Sequence, residues 1–276
     1  MKFRAAEDIV QDTEKGASEL FFEAGESIIQ LNGEAAEEYA VELVQNRYSM
    51  SPLVNLANRT FEAVEEGKHR ENIRDYLLEV ERSKKRAVKN ALDLLSSFTH
   101  VGTLSYSSTV IDVLKDIEEV SVLESRPLFE GRKTAEILHG KGVEVDFYPD
   151  SAVHDMLLDV DAFLVGSDSL SEEGFTNKTG TSTAAIVCLY LKKPVYVVSD
   201  ISKVLPKGIP LHFEEQHDPK EVWETDLDVT IHNDYFEKIS WIDNITLITG
   251  DGIIENKKKI QSERVSENLM KYHPRV

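Results

Sequence analysis

The spacing of apolar residues changes near residue 95. Before that point it has a helical period, because Leu20, Phe21, Ala24 and Ile28 fall on one face of a helix. A long charged segment that starts near residue 71 also has one apolar stripe, formed by Ile73, Leu77, Val80, Val88, Ala91 and Leu95. The first third of the chain is therefore predicted to be a layer of helices.

Beyond residue 95 the pattern changes to short apolar runs separated by amphipathic segments. The runs are SSFTHV, VSVLES, VEVDFYP, AFLVGS, PVYVVSD, LDVTIHN and ITLITG. Such runs are typical of a parallel sheet that is buried on both faces, and GRKTAEILHGKG and GTSTAAIVCLYLKK are predicted as two of its crossover helices. We therefore predict an α/β fold. An all-helical domain over 1–95 packs on a Rossmann-like domain over 96–276, which has a mainly parallel sheet and a C-terminal helical tail.

Composition limits the kinds of partner. The 276 residues are 41% hydrophobic and have a formal net charge of -19 and a pI near 4.8. No basic patch dominates, so a phosphate backbone would be repelled and no direct nucleic-acid partner is expected. The single cysteine, Cys188, excludes an internal disulfide and a cysteine-built zinc site. The start lacks the apolar core of a signal peptide, and no window approaches the roughly 18 apolar residues of a membrane span, so we expect a cytoplasmic protein.

Polar residues follow five of the predicted strands. In a doubly wound sheet the ligand lies at the carboxyl ends of the strands, where helix N-termini and cationic side chains attract phosphate. The candidates are Gly102, Thr103 and Ser105 after the first run, Arg126 after the second, Asp150 after the third, Asp168 and then Asn177 and Lys178 after the fourth, and Asp200 and Lys203 after the fifth. This pattern predicts a pocket for a phosphorylated small molecule.

Other kinds of site are not indicated. No GxGxxG follows the first run and no Walker GKS motif occurs, so neither a dinucleotide nor a P-loop cofactor is expected. The histidines form no helix-spaced pair, so no metal is expected either. Structural roles stay open for three residues: Asp168 as a turn cap or a partner of Lys178, His100 as a structural histidine at a strand end, and Cys188 as a core residue.

Four segments resemble, in order and spacing, the shared motifs of one family. This family joins the alpha, beta and delta subunits of translation initiation factor 2B with isomerases of methylthioribose 1-phosphate and ribose 1,5-bisphosphate. The segments are THVGTLSYSS, ESRPLFEGRKTAEIL, VGSDSLSEEGFTNKTGT and YVVSDISK. The Asn-Lys-x-Gly-Thr element at 177–181 is the most specific part of the match. The resemblance implies a helical domain on a Rossmann-like domain that dimerises.

The chain departs from the isomerases of this family at four places. Those enzymes use a cysteine after Thr-His at the first strand end and an aspartate after Val-Gly at the fourth. By this resemblance Asp168 matches the aspartate, but Val101 occupies the cysteine position and cannot move a proton. Lys15 replaces an arginine before Gly16 and Ala17, and Ser51 replaces an arginine before a proline, which weakens phosphate binding. Where the enzymes have glutamine the chain has Glu130, which would repel a second phosphate.

The resemblance therefore implies a regulatory or structural homologue of the 2B subunits that keeps a sugar-phosphate or nucleotide pocket without turnover. It implies a homodimer, with a larger oligomer left open, and binding to other 2B-like subunits and to the alpha subunit of initiation factor 2. Carried over by motif position, the pocket residues are Lys15, Gly16, Ala17, Gly102, Thr103, Ser105, Arg126, Asn177, Lys178 and Lys203, with Asp168 catalytic only in an active enzyme.

Two other hypotheses stay open. The first is an aldose-ketose isomerase of a phosphorylated pentose, with Asp168 as the acid-base group and His100 or water in place of the thiol. The second is a scaffold whose pocket is empty, which would show no ligand-dependent shift in melting temperature.

Overall fold

A computed structural model describes residues 3–12, 15–211, 217–255, 257, 260 and 262–275. In these ranges five helices precede the first strand and form a helical layer. They are α1 (Ala6–Val10), α2 (Ala17–Ile28), α3 (Gly33–Asn46), α4 (Ser51–Glu65) and α5 (His69–Leu95). No described helix is both long and apolar enough to cross a membrane.

Local sequence signals explain where two of these helices begin. The Asn32 side chain caps α3 by accepting a hydrogen bond from the Ala35 amide at 2.9 Å. Pro52 lies in the first turn of α4, where its missing amide hydrogen costs nothing. The predicted face of α2 is fully buried and packs against Leu53 and Leu56 of α4, which together form the core of the helical layer.

A seven-stranded sheet follows, in the order β10-β9-β7-β4-β1-β2-β3, and only β10 is antiparallel to its neighbour. A smaller antiparallel sheet has the order β5-β6-β8. The strands are β1 (His100–Leu104), β2 (Glu119–Leu123), β3 (Glu144–Tyr148), β4 (Ala162–Val165), β5 (Ser169–Leu170), β6 (Gly174–Lys178), β7 (Val195–Val198), β8 (Phe236–Ser240), β9 (Ile245–Thr249) and β10 (Gly252–Ile254). The predicted α/β fold class is confirmed.

Both faces of the large sheet are covered. On β4, Phe163 and Val165 point into a core shared with the helices over 153–159 and 181–191. Ala162 and Leu164 point into a core shared with α5 and the helices over 108–114 and 130–140. Burial on both faces explains why this strand is a continuous apolar run. The remaining helices are α6 (Ser108–Leu114), α7 (Glu130–Gly140), α8 (Val153–Asp159), α9 (Thr181–Leu191) and α10 (Glu267–Tyr272), and the last packs on α3 and α4.

Helix α5 belongs to both layers. Its first half places Ile73 and Tyr76 in the core of the helical layer, and its second half places Ala87 and Ala91 in the core of the sheet. The Asn90 side chain also donates a hydrogen bond to the carbonyl of Thr249 on β9, at 2.8 Å. The helical layer is therefore packed directly on the sheet.

Two predicted strands were placed wrongly, and one strand was not predicted. The first strand begins at His100 instead of residue 96, because the Asp161 carboxylate accepts the amides of Thr99 and His100 and fixes the strand start there. The run LDVTIHN is not a strand; Leu227 and Val229 are exposed in an irregular segment. The residues before the threonine-rich helix form β6, which lies between β5 and β8 in the small sheet. The polar side chains of β6 are buried.

Candidate functional site

The sheet reverses its direction of winding between β1 and β4. From β1 the chain proceeds outward to β2 and β3, and from β4 it proceeds the other way to β7 and β9. The loops after β1 and β4 therefore diverge and leave a crevice at the carboxyl edge, which is where open α/β sheets bind ligands. Ser105 is the first residue after β1, and Asp168 follows β4 closely.

The loops on the β1 side of the crevice are fixed by side chain to backbone hydrogen bonds. The Ser105 amide donates to Oγ of Ser125 at 2.7 Å, and both serines have a φ of 62°. The Asp150 carboxylate accepts the amides of Ser125 and Arg126 at 2.8 and 2.7 Å. Asp150, a strand-end residue, thus holds a loop, and Ser105 is presented on a rigid turn.

An ion pair between a buried lysine and a partly exposed glutamate lies beside this turn. Nζ of Lys178, on β6, donates to Oε1 of Glu130 at 2.9 Å, and only 1% of the Lys178 side chain is exposed. Glu130 is the first residue of α7. The ring of Tyr235 lies 5.0 Å from the same ammonium, and its hydroxyl donates to the Glu221 carboxylate. Lys178 is therefore enclosed by a carboxylate and an aromatic face.

Asp168 is the group in this crevice best suited to acid-base chemistry. Burial raises its pKa above the ordinary range of an aspartate, even though the ammonium groups of Lys203 and Lys178 act in the opposite direction. The Glu130 carboxylate adds a further increase in the pKa. Lys203 lies in the short 3-10 helix Ile201–Lys203 that follows β7, and it is 8% exposed. A carboxyl with a raised pKa takes up a proton more readily than an exposed aspartate does, which suits it to acid-base chemistry.

The raised pKa of Asp168 gives a testable pH dependence of stability. The folded chain holds this proton more tightly than the unfolded chain, so the group stabilises the fold below about pH 4 and loses that contribution as the pH rises through its folded-state pKa. Each unit of pKa difference corresponds to about 1.4 kcal/mol. We expect Asp168→Asn to be more stable than the wild type at pH 7, with the gain shrinking towards pH 4. Urea unfolding at both pH values measures this, and a gain that is larger at pH 4 would contradict it.

Two side chains of α4, in the helical layer, form hydrogen bonds with the backbone of the crevice. Oγ of Ser51, at the start of α4, donates to the carbonyl of Asp168 at 2.6 Å and lies 3.1 Å from the carbonyl of Lys203. Nδ2 of Asn55, one turn later, donates to the carbonyls of Ser202 and Val204 at 2.6 and 2.8 Å. Ser51 therefore positions the backbone of two crevice segments. The sequence predicted Ser51 as a helix start and as a lost positive charge, but it indicated neither this contact nor Asn55.

The start of α9 does not offer free amides for phosphate. Oε1 of Glu237 accepts hydrogen bonds from the amides of Gly180 and Ser182 at 2.8 and 2.9 Å. Asn177 is 8% exposed, and its side chain donates to Oγ1 of Thr181 at 2.9 Å. Asn177 thus stabilises the turn into α9, and the carboxylate of Glu237 occupies the anion position at this helix start. No signal near residues 166–181 indicated Glu237.

Other candidate residues have structural partners of their own. Lys15 pairs with Glu23, and Gly16 and Ala17 begin α2. That turn precedes Ser18, which borders a small cleft of about 110 Å³ together with Asp200. The turn therefore lies near the segment that follows β7.

Two of the predicted loop residues lie inside β1. Gly102 is pressed against the core, because a Cβ there would stand 3.1 Å from the Met156 methyl group. Thr103 is fully buried, and its hydroxyl donates to the carbonyl of Leu164 at 2.7 Å. Of the loop predicted over 102–105, only Ser105 leaves the strand and borders the crevice.

Arg126 forms a hydrogen bond with the loop segment 217–235. Its side chain is exposed, and Nη2 donates to the carbonyl of Val222 at 3.0 Å. Within the same segment, 217–235, Nδ2 of Asn233 donates to Oε2 of Glu221 at 2.8 Å. Arg126 thus holds the segment that contains Tyr235 against the α7 side of the crevice.

The acid-base partner expected for Asp168 is absent from its predicted positions. His100 begins β1 and lies at the opposite edge of the sheet, where Nε2 is 2.8 Å from Oγ of Ser121. Val101 lies inside β1 and is fully buried, so its assignment to a strand end is wrong. Cys188 is fully buried in α9, and burial raises the pKa of its thiol to about 12. Within the described ranges, no group of three or more His, Cys, Asp and Glu side chains is arranged to hold a metal ion.

The fold is that of a Rossmann-like α/β protein. Its crevice, where the winding of the sheet reverses, contains two buried lysines, Lys178 and Lys203, and the carboxyl groups of Asp168 and Glu130. Residues 11–256 match the family model of the initiation factor 2 subunit family, IF-2B. The chain belongs to this family. The family is related to sugar-phosphate isomerases.

Three known proteins illustrate the relationship. A translation initiation factor eIF-2B subunit 2-like protein of Pyrococcus furiosus is 28% identical over 71% of this chain and 77% of its own length. The ribose 1,5-bisphosphate isomerase of Archaeoglobus fulgidus is 28% identical over 79% of this chain and 77% of its own length. The crystal structure of the Pyrococcus horikoshii OT3 translation initiation factor eIF-2B has a TM-score of 0.78 at 24% identity, covering 93% of this chain and 97% of that one. That structural likeness shows the shared fold.

Proposed function

We propose that this protein is a subunit of the factor 2B type that binds a phosphorylated sugar or nucleotide in the crevice without converting it. The observation that supports this best is that Asp168 has no thiol or imidazole partner at the predicted positions for proton transfer. Asp168 is present with a raised pKa, but the chain's single cysteine is buried in α9 and His100 lies at the other edge of the sheet. An aldose-ketose conversion needs two positioned proton-transfer groups, and a second one is not provided by a thiol or an imidazole at these positions.

The cationic residues support binding of a phosphate. Lys178 and Lys203 are almost fully buried, and both act on the pKa of Asp168, so they lie within electrostatic reach of the crevice. Buried ammonium groups interact strongly with phosphate because water screens them little. Ser105 adds a hydroxyl on a rigid turn that contacts α7, the helix that begins with Glu130. In this proposal Lys178, Lys203 and Ser105 contact the ligand, and Asn177 and Arg126 shape its surroundings.

An exposed apolar face supports assembly with other subunits. Leu158 on α8 and three residues of α9 are 46–79% exposed despite their apolar character: Ile186, Leu189 and Tyr190. Helix α9 is apolar on nearly all sides, which is typical of a helix covered by other protein. We propose that this face contacts a second copy or another 2B-like subunit in the cytoplasm. From membership of the 2B subunit family we further propose that the alpha subunit of initiation factor 2 is a partner.

The isomerase remains the second candidate, since the raised pKa of Asp168 favours it and one relative is a ribose 1,5-bisphosphate isomerase. A proton NMR time course with ribose 1,5-bisphosphate and with methylthioribose 1-phosphate separates the two candidates, with Asp168→Asn run in parallel. We expect the anomeric signal of both substrates to persist in both proteins. Its loss with the wild type alone would identify an isomerase.

A melting experiment on the same samples tests the pocket. We expect at least one phosphorylated sugar or nucleotide to raise the melting temperature of the wild type by mass action. Should no member of a panel of sugar phosphates and nucleotides do so, the chain would be a scaffold with an empty pocket.

A further inference from the structure

We propose that Glu130 makes the crevice selective for a pentose monophosphate over a pentose bisphosphate. This inference rests on the proposed ligand-binding function and specifies its substrate class. The ligand would place its single phosphate near Lys203 and a hydroxyl group against the Glu130 carboxylate. Glu130 would accept that hydroxyl and repel a phosphate at the same place.

The two oxygens of the Glu130 carboxylate are in different situations. Oε1 accepts the hydrogen bond from Lys178, whereas Oε2 is buried and has no hydrogen-bond partner among the described residues. A buried carboxylate oxygen without a donor is costly by about 1–3 kcal/mol, so it favours a ligand that supplies a donor. A sugar hydroxyl supplies one. A phosphate dianion supplies only acceptors and adds charge of the same sign.

The positive charge that is not compensated in the crevice is enough for one phosphate. Lys178 and Lys203 provide two positive charges, and the Glu130 carboxylate compensates Lys178 directly. Lys203 is buried within electrostatic reach of Asp168, but no salt bridge joins its ammonium group to a carboxylate of the described residues. One ammonium group suits one phosphate, and a second phosphate would meet the Glu130 carboxylate in poorly screened surroundings.

The alternative position for a second phosphate is also occupied. The start of α9 is a second helix N-terminus close to Lys178 in the chain, since this helix follows β6 directly. Its amides at Gly180 and Ser182 already bind the Glu237 carboxylate. A second phosphate therefore finds a carboxylate both at α7 and at α9, and the selectivity follows from two independent features.

Ribose 5-phosphate and ribose 1,5-bisphosphate form a matched pair of probes, because they differ by one phosphate on the anomeric oxygen. Isothermal titration calorimetry of both ligands would be carried out on the wild type, on Glu130→Gln and on Glu173→Gln. Glutamine keeps the shape and the acceptor for Lys178, removes the charge and adds a donor. Glu173 is a matched control, because it is an exposed carboxylate 3.4 Å from Nζ of Lys238 and makes the same change in net charge.

We expect the wild type to bind ribose 5-phosphate more tightly than the bisphosphate. Glu130→Gln should reverse or cancel this preference, improving the bisphosphate affinity by about tenfold or more relative to the monophosphate, as removal of one poorly screened like charge implies. Glu173→Gln should leave the ratio of the two affinities unchanged. A melting curve for each variant verifies that it is folded.

Two results would overturn the inference in distinguishable ways. If the wild type binds a sugar phosphate and Glu130→Gln leaves the affinity ratio unchanged, Glu130 does not set selectivity, although the proposed pocket stands. If the folded wild type binds neither ribose phosphate, the pocket is not a pentose phosphate site, and the selectivity assigned to Glu130 fails with it.

Discussion

Replacing Gly131 with alanine is expected to lower the free energy of unfolding by about 3 kcal/mol or more. A Cβ atom on Gly131 would stand 1.9 Å from the carbonyl oxygen of Leu123 and 2.9 Å from its carbonyl carbon. These are backbone atoms of β2, so no side-chain rotation can relieve the overlap. Helix α7 would have to move away from the sheet, and Glu130, which precedes Gly131, would move with it.

The same helix offers a matched control for this substitution. At Gly140, the other end of α7, a Cβ atom would meet no heavy atom of the described residues within 4 Å. We expect Gly140→Ala to change the stability by no more than about 0.5 kcal/mol, since helix propensity favours alanine and nothing obstructs it. Urea unfolding followed by circular dichroism measures both variants. Equal stability changes at the two positions would refute the close approach of α7 to β2.

Replacing Lys178 with methionine is expected to cost about 3 kcal/mol of unfolding free energy. The variant removes one partner of a buried ion pair and leaves the Glu130 carboxylate without its counter-charge. Adding Glu130→Gln should recover a large part of this loss, because the second change removes the uncompensated charge. A double-mutant cycle by urea unfolding gives the coupling energy between the two residues.

An exposed pair provides the reference for this cycle. Lys238 lies 3.4 Å from Glu173, and both side chains are more than two-fifths exposed. We expect Lys238→Met to change the stability by less than about 1 kcal/mol, as is usual for surface ion pairs. If Lys178→Met is as mild as Lys238→Met, or if the double variant is the simple sum of the two single ones, the buried pair is not energetically coupled.

The fold could be predicted from the sequence because strands that are buried on both faces are continuous apolar runs. The run AFLVGS led directly to β4, and PVYVVSD led to β7. The run LDVTIHN has a similar apolar content but is not a strand, since no strand in the described part of the chain pairs with it. Apolar character alone does not specify pairing, which depends on residues distant along the chain.

The limits of a strand are harder to predict than its existence. The first strand was predicted to begin four residues too early and to end three residues too early. That prediction put Val101 at a strand end and His100 near the crevice. Its true start depends on hydrogen bonds to Asp161, a residue near the beginning of β4. The crevice therefore lacks a thiol because Cys188 is the only cysteine and is buried in α9, and not because of Val101.

The strand-end rule selected Asp168 and Lys178 as candidates, but the partners that determine their chemistry were invisible in the local sequence. Glu130 reaches Lys178 from α7, and Glu237 reaches the start of α9 from β8. Neither carboxylate lies in a motif with the group it binds. The sequence thus selected some residues of the crevice, such as Asp168 and Lys178, but not the carboxylates that bind Lys178 and the start of α9.

The shared helix α5 makes the two layers one cooperative unit. Its 27 residues span about 40 Å, and each half completes a different core. Without α5, the face of the sheet that includes Val198 and Ile248 would lose part of its cover and expose apolar surface to water. The helical layer would at the same time lose the residues that enclose Phe21. We therefore expect neither layer to fold by itself, because each would lose apolar contacts that α5 provides.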